Sequence, residues 1–302
     1  MPSLSARSVR FVIRHTVRRR FERAGQSVAA LRKLDGMLAR SQRPLRGTLI
    51  SSASVDGLPG EWIQGPGTDS DRVLLYFHGG AFIMGSPATH RELASRISAA
   101  AGAKVLSPDY RLAPEHPFPA AVDDATVSYR WLLSQGYSSS QIAIGGESSG
   151  GGLALQAILS LKEEGVQLPR AAFFLSPVTD WMAFDGESYS TRAVSDPLVS
   201  LPQCRFTASL YVGSIPPETP LLQPLTMDLS GLPPMWIQVG DHEVLLSDAE
   251  RLAERARACE VPVEFKVRPG MWHVFQAAAR FVPEARRSVE ELGRFLRESM
   301  KK

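Results

Sequence analysis

Gly146-Glu147-Ser148-Ser149-Gly150-Gly151 is the stretch whose reading decides the fold. Before it runs Gln141-Ile142-Ala143-Ile144-Gly145, short, apolar and partly β-branched. After it, Leu153-Ala154-Leu155-Gln156-Ala157-Ile158-Leu159 keeps helical spacing. Strand, tight turn and helix therefore follow one another, with Ser148 at the apex. Such a turn strains the backbone, and a Cβ at position 146 or 150 would collide with the facing strand or helix, so glycine is needed at both. The outcome is a serine hydroxyl lifted off a sheet, beside a helix N-terminus whose free N–H groups can meet an anion. A Gly-rich helix cap with an ordinary N-terminal serine has the same letters. The decision therefore rests on the rest of the chain.

Strands and helices alternate on both sides of this turn. Gly47 to Gln64 alternates weakly, with Gly-Leu-Pro-Gly at 57–60, and reads as a β-hairpin at a sheet edge. The stretch 66–70 reads as a loop. Arg72 to Phe77 is a buried strand that runs into His78-Gly79-Gly80-Ala81-Phe82. Paired glycines after bulky strand residues mark a backbone that must approach something closely. Helices are expected over 87–101, 120–135, from Ser148 to about Gly165, over 247–259 with Ser247 as N-cap, and over 283–300. Further strands are expected over 104–107, 170–175, 235–239 and 263–267. This rhythm predicts an α/β fold, a mostly parallel sheet with helices on both faces. Sites in such sheets lie at the carboxyl ends of the strands, where the segments after 77, 145 and 239 sit. Prolines 114, 117 and 119 keep the loop from Asp109 to Ala121 out of helix, and its charged residues are expected to hold it by buried pairing.

Two regions break the rhythm. Ser176 to Pro234 is too long for a plain connection and carries scattered aromatics, including Trp181 and Tyr189. It reads as a cap insertion, placed at 181–230, that supplies apolar walls for a substrate pocket. Residues 1–46 read as an N-terminal helical cap segment of two amphipathic helices broken near Gly25. The α/β body then occupies 47–180 and 231–302. In residues 1–46 there are 12 Lys and Arg against 2 acids, a balance of +10, whereas the remainder has 22 against 29, a balance of −7. The acidic body is a sufficient partner for this arm. No nucleic-acid motif accompanies the charge, so nucleic-acid binding is not expected. Adhesion to an anionic membrane surface is compatible with the composition.

The 302 residues suffice for one large domain with a cap, and apolar runs are too short for a membrane span, so no stable membrane insertion is expected. Arginines interrupt every candidate signal-peptide core. Two cysteines, Cys204 and Cys259, suggest neither a disulfide framework nor a zinc site, and point to a reducing cytoplasm.

A serine hydroxyl needs a base to act as nucleophile, and the base needs an orienting acid. Beyond Ser148 the histidines are His242 and His273, and His273 follows the penultimate strand, where the base belongs. His116, among prolines, reads as structural. The acid candidates are Asp241, Glu243 and Asp248. Asp241 comes early in the turn and Asp248 falls in a first helical turn, where an acid is favoured anyway. Glu243 is therefore chosen.

Taken together, the chain resembles the hormone-sensitive-lipase family of esterases and lipases, which have the α/β-hydrolase fold. His78 to Phe82 matches its HGGG-aromatic motif, with Ala81 for the third glycine. Asp109 to Ala121 matches its D-Y-R-L-A-P-E-x-P-F-P-A-A stretch, and Gly146 to Gly151 its G-D-S-A-G-G elbow, with Glu147 for Asp and Ser149 for Ala. Glu243-Val244-Leu245 aligns with its D-P-L acid motif and His273-Val274-Phe275 with its H-x-F. Asp196-Pro197-Leu198 has the acid motif's letters but falls in the cap, and is read as a decoy. The resemblance implies a serine carboxylesterase that hydrolyses short-chain acyl esters through an acyl-enzyme. Ser148 would be the nucleophile, His273 the base and Glu243 the acid. N–H groups of Gly79, Gly80 and Ser149 would form the oxyanion hole, with the part of Ala81 left open. Phe82, Trp181 and Tyr189 are expected to contact substrate. No cofactor or metal is implied, and a homodimer through the sheet edge, common among bacterial members of the family, is compatible with the resemblance. The same machinery could open lactones or cleave amides. A ligand receptor on this scaffold is disfavoured because His273 is present.

Overall fold

The computed structural model describes residues 1–40, 43–68, 71–216 and 218–301. The last two residues of the expected 66–70 loop lie outside that set. Its centre is an eight-stranded sheet built from β1 (Leu49–Val55), β2 (Leu58–Gln64), β3 (Val73–Phe77), β4 (Lys104–Pro108), β5 (Ile142–Glu147), β6 (Ala171–Leu175), β7 (Met235–Gly240) and β8 (Val263–Arg268), in the order β1-β2-β4-β3-β5-β6-β7-β8. Six strands, from β4 to β8 across the sheet, run parallel. β2 pairs antiparallel with both β1 and β4. The hairpin is where the sequence puts it, but its turn is Asp56-Gly57, both at positive φ. Leu58 to Gly60 already belongs to β2, since two consecutive left-handed residues make the tighter and better-twisted hairpin turn.

Side-chain alternation along the central strands feeds two cores, one on each face. Val73, Leu75 and Phe77 join Ile142, Ile144, Phe174, Ile237 and Val239 on one face. They pack against α5 (Ala120–Ser134), α6 (Ser149–Glu163) and α9 (Leu246–Ala258). Leu74, Tyr76, Phe173 and Trp236 face the other way, toward α4 (Pro87–Ala101) and α10 (Pro283–Ser299). Strands buried on both faces explain the near-continuous apolar runs. α9 starts one residue earlier than expected, and Ser247 is not its N-cap. Instead the Ser247 hydroxyl accepts the Ser188 N–H at 3.0 Å, tying α9 to the cap insertion.

At the N-terminus, α1 (Leu4–Val12) continues through a π-helical turn at 13–17 into α2 (Arg18–Ala24) and stops at Gly25. α3 (Val28–Ala39) follows. Arg18 donates to the Asp196 carbonyl at 2.7 Å, and Arg32 donates to the carbonyls of Ile83 and Ala113, so the helical segment grips both the insertion and the body. The insertion itself holds α7 (Ser188–Thr191) and α8 (Leu201–Val212). In the proline-rich loop the charged residues pair as expected: Arg111 with Asp124, whose carboxylate is buried, and Glu115 with Arg32 at the surface. His116 is exposed there.

The turn at Ser148 leaves no room for side chains at its glycines. A Cβ on Gly150 would lie 2.1 Å from the Phe77 carbonyl oxygen, and one on Gly146 would lie 2.2 Å from the same atom. Strand β3 and helix α6 touch there through bare backbone. Gly150→Ala is expected to destabilise the fold by at least about 2 kcal/mol, because the clash is with backbone that cannot swing aside. A urea midpoint unchanged from wild type would contradict this.

Candidate active site

Ser148 takes φ 54° and ψ −127°, a conformation that costs a non-glycine residue roughly 1–3 kcal/mol and persists only where the surroundings impose it. They do: its N–H donates to the Leu175 carbonyl at 2.9 Å, and its carbonyl accepts from Gly152 and Val178. The hydroxyl therefore stands clear of the sheet at the start of α6. His273 Nε2 lies 3.0 Å from Ser148 Oγ, and His273 Nδ1 lies 2.8 Å from Glu243 Oε2. Three chain segments separated by up to 125 positions meet in one hydrogen-bonded line.

Glu243 is fully buried, so each of its oxygens needs donors. Oε1 accepts the Gly240 N–H at 2.6 Å and the Ser176 hydroxyl at 2.9 Å. Ser176 also accepts the Val274 N–H at 3.1 Å, so one hydroxyl clamps the acid and the loop of the histidine together. The other two carboxylates considered as partners are engaged elsewhere. Asp241 accepts the Gly270 N–H at 2.6 Å, and Asp248 accepts the Thr179 N–H at 3.0 Å, its buried carboxyl pushed up to about 6 by desolvation. His242 stands 3.8 Å from Asp241 and is half-buried.

Burial pushes the His273 imidazole down, but the hydrogen bond and charge of Glu243, with further pulls from Asp196 and Glu147, outweigh it. Its pKa is raised above the ordinary 6.5. Asp196 is more than a coincidence of letters. It is fully buried, folds its own turn by accepting the Leu198 and Val199 N–H groups, and accepts the Val244 N–H at 2.9 Å, next to Glu243. The segment between β6 and β7 thus braces the loop of Glu243 through this carboxylate. An Asp-Pro-Leu turn signals an Asx turn from sequence, whereas its third partner is a long-range contact that no local pattern encodes.

A second network lies on the far side of the elbow. Glu147 is buried and accepts from the Tyr76 hydroxyl, from the Gly79 N–H at 2.5 Å, and lies 3.1 Å from His90 Nε2. Desolvation raises the Glu147 carboxyl despite these partners. His78 is held neutral, its pKa lowered to about 3 chiefly by burial, and it stacks on Tyr110 with centroids 4.3 Å apart. A neutral ring facing a carbonyl must carry its proton on Nδ1, which donates to the Gly79 oxygen at 2.8 Å. These contacts correct one expectation: the Gly79 N–H is already given to Glu147. Further along, the Gly80 and Ala81 N–H groups have no acceptor among the described residues. Ala81 and Phe82 both take positive φ, so the chain turns as a third glycine would let it. The Ser149 N–H, first in α6, has no intrahelical partner.

A cavity of about 500 Å³ opens over Ser148 and His273. Trp181 lines it, as expected. Phe82 and Tyr189 do not. Phe82 is buried behind the wall, stacked on Tyr211 at 3.7 Å, and Tyr189 packs edge-on against Phe184. The lining comes instead from Phe184 and Phe206 of the insertion, Phe281 near α10, and Val9, Ile13, Val17 and Phe21 of the N-terminal helices. Among the described residues no group of three or more His, Cys, Asp or Glu side chains is arranged to hold a metal ion.

The sheet order, the strained serine turn and the residues on its rim define an α/β hydrolase. A model of the α/β-hydrolase fold matches residues 74–277, and the chain belongs to that family. Within it, the relatives are esterases. An acetyl-hydrolase of Streptomyces hygroscopicus is 44% identical over 78% of this chain and 79% of its own length. A carboxylesterase/phospholipase of Mycobacterium tuberculosis is 34% identical over 86% of this chain and 72% of its own. The crystal structure of an esterase from the bacterial hormone-sensitive lipase family superposes with a TM-score of 0.93 at 41% identity, each chain covered in full. The protein is a carboxylic ester hydrolase of this bacterial hormone-sensitive-lipase type.

The His273 titration tests the electrostatics directly. By NMR its imidazole is expected to titrate above 6.5 in the wild type and below 6.5 in Glu243→Gln, where burial is left without its main opponent. Equal values in the two proteins would refute the assignment of Glu243 as the source of the upward shift.

Proposed function

We propose that the protein hydrolyses short-chain carboxylic esters through an acyl-enzyme on Ser148. The observation that carries this reading is the continuous line Ser148–His273–Glu243, at 3.0 and 2.8 Å. In this scheme His273 Nε2 takes the Ser148 proton as Oγ attacks the ester carbonyl carbon. Glu243 keeps the ring in the tautomer with its proton on Nδ1 and stabilises the imidazolium that forms. Collapse of the tetrahedral intermediate breaks the bond to the alkoxy oxygen, which leaves with the proton from Nε2. Water then attacks the acyl carbon with the same base, and the acid product leaves while Ser148 regains its proton.

Charge on the carbonyl oxygen needs donors fixed in advance. The Gly80, Ala81 and Ser149 N–H groups suit this, since they sit beside Ser148 and have no competing acceptor among the described residues. Gly79 then serves differently, as the residue whose N–H Glu147 grips to hold the loop in place. The preference for short acyl chains draws support from the cavity's modest volume and its walls of Trp181, Phe184 and Phe206. A related esterase, EstE5, 33% identical with a TM-score of 0.90, was soaked with p-nitrophenyl butyrate. Cys204 and Cys259 are free and half-buried, which suits a reducing compartment such as the cytoplasm.

Hydrolysis of p-nitrophenyl esters from acetate to palmitate by wild type and Ser148→Ala tests the proposal. Rapid turnover is expected on the short esters only, falling roughly 10⁴-fold or more in the variant. Glu243→Ala should lose roughly 10³- to 10⁴-fold, and Asp241→Ala less than about tenfold. Full activity in Ser148→Ala rules the mechanism out. The pH profile has a defined sign. Because the His273 pKa is raised, the ring stays protonated and inactive as a base to higher pH, so the acid limb of kcat/KM is expected above 6.5. A limb below that value contradicts the pairing.

A further inference from the structure

The basic N-terminal arm has a purpose that ester chemistry does not require. The helix running from α1 through the π-helical turn to α2 has two working faces. Val9, Ile13, Val17 and Phe21 look into the catalytic cavity. On the outer side Arg7, Arg10 and Arg14, with His15, line an open groove of about 1010 Å³, closed opposite by Val194 of the cap insertion and by His242. No Asp or Glu lines it. Among the described residues the Arg7, Arg10 and Arg14 side chains make no ion pair or hydrogen bond; Arg10 Nη1 is buried without an acceptor, as is Nε of the neighbouring Arg192. Buried guanidinium nitrogens need acceptors, and Arg10 Nη1 in this groove has none among the described residues. Its rim is apolar and unusually exposed: Leu4 is 78% exposed, Phe11 64%, Val12 53% and Val194 76%. Exposed aromatic and aliphatic side chains interleaved with unpaired arginines are the composition of a helix that lies in a lipid interface. No helix among the described residues is long and apolar enough to cross a membrane.

We propose that this groove and its rim dock the protein on an anionic membrane surface. A phosphate-bearing lipid headgroup meets Arg7, Arg10, Arg14 and His242, while Leu4, Phe11, Val12 and Val194 enter the acyl boundary. The balance of +10 in residues 1–46, against −7 in the remainder, orients the molecule arm-first toward negative charge. Since the same helix walls the cavity, docking sets the catalytic serine one helix thickness, roughly 10 Å, behind the lipid. The inference does not depend on the ester mechanism, and its readout is binding alone.

Co-sedimentation of the full chain with vesicles tests it, using phosphatidylcholine alone and phosphatidylcholine with roughly one-third phosphatidylglycerol. The wild type is expected to pellet with the anionic vesicles at low salt, to stay free with neutral ones, and to be released at high salt. Arg7→Glu/Arg14→Glu should weaken binding at least about tenfold. Phe11→Ser/Val12→Ser, which keeps every charge, should also weaken it; circular dichroism melts of both variants check the fold. Four results overturn the proposal. Wild type could fail to bind, could bind both vesicle types equally, or could bind undiminished in the two variants. It could also be stabilised by inorganic phosphate, or bind duplex DNA through the same arginines, without binding vesicles. The last would make the groove a free-anion or nucleic-acid site instead.

Discussion

The site depends on a buried carboxyl group. Glu243 has no access to water, and a carboxylate in that position is tolerated only when the protein replaces the lost hydration. Three donors do so, from three places in the chain: the Gly240 N–H in its own turn, the Ser176 hydroxyl at the end of β6, and His273 from the loop after β8. Neighbouring parallel strands deliver all three to the same edge, so the carboxyl group is satisfied only in the assembled sheet. Removing any partner leaves the others with a penalty. For that reason the arrangement acts as a unit, and the strained Ser148 is held at its far end rather than relaxing.

A second buried carboxylate, Glu147, performs a parallel task on the opposite side of the same serine. It binds the Gly79 N–H and the Tyr76 hydroxyl and faces His90 of α4. The residue before Ser148 thereby positions the loop that follows β3, and the residue after it opens α6. Ser148 thus sits between a network that orients His273 and one that holds the 78–82 loop. The two meet at the Ser148 turn, and the Glu147 charge also acts on His273. A long glutamate side chain reaches across to Gly79 from the elbow, so the loop need not close the gap itself.

Sequence disclosed those parts whose geometry is written locally. Glycines at 146 and 150, a β-branched run before them and helical spacing after them encode the turn within a dozen residues, and the structure shows why bare backbone is needed there. Strand and helix alternation was equally legible, because the central strands β3 to β7 are buried on both faces. Contacts between distant segments were not. Ser247 looked like a helix cap by composition, yet its hydroxyl serves Ser188, fifty-nine positions away. Phe82 and Tyr189 have the chemistry of a pocket wall, but which way a ring turns is settled by neighbours such as Tyr211 and Phe184. Asp196 shows the same limit from the other side. Its turn is a local pattern, while its hold on the acid loop through Val244 exists only after the cap has docked. The resemblance gave the Gly79 N–H to substrate, and nothing in the letters says that a side chain sixty-eight positions later claims it first.

The N-terminal helix links these observations. A helix that only lidded a pocket would need one apolar stripe and could be polar elsewhere. This one carries Val9, Ile13, Val17 and Phe21 toward the cavity and a second exposed set, Leu4, Phe11 and Val12, toward the groove, with arginines between them. Keeping that second set in water is costly, and like charges at adjacent turns repel. The Arg18 bond to the Asp196 carbonyl fixes the helix to the very turn whose carboxylate braces Val244. The helix is therefore tied to the loop of Glu243 through one hydrogen bond and one short turn. The helix that lines the cavity over Ser148, the carboxylate that accepts the Val244 N–H and the groove outside them form one connected piece of the molecule.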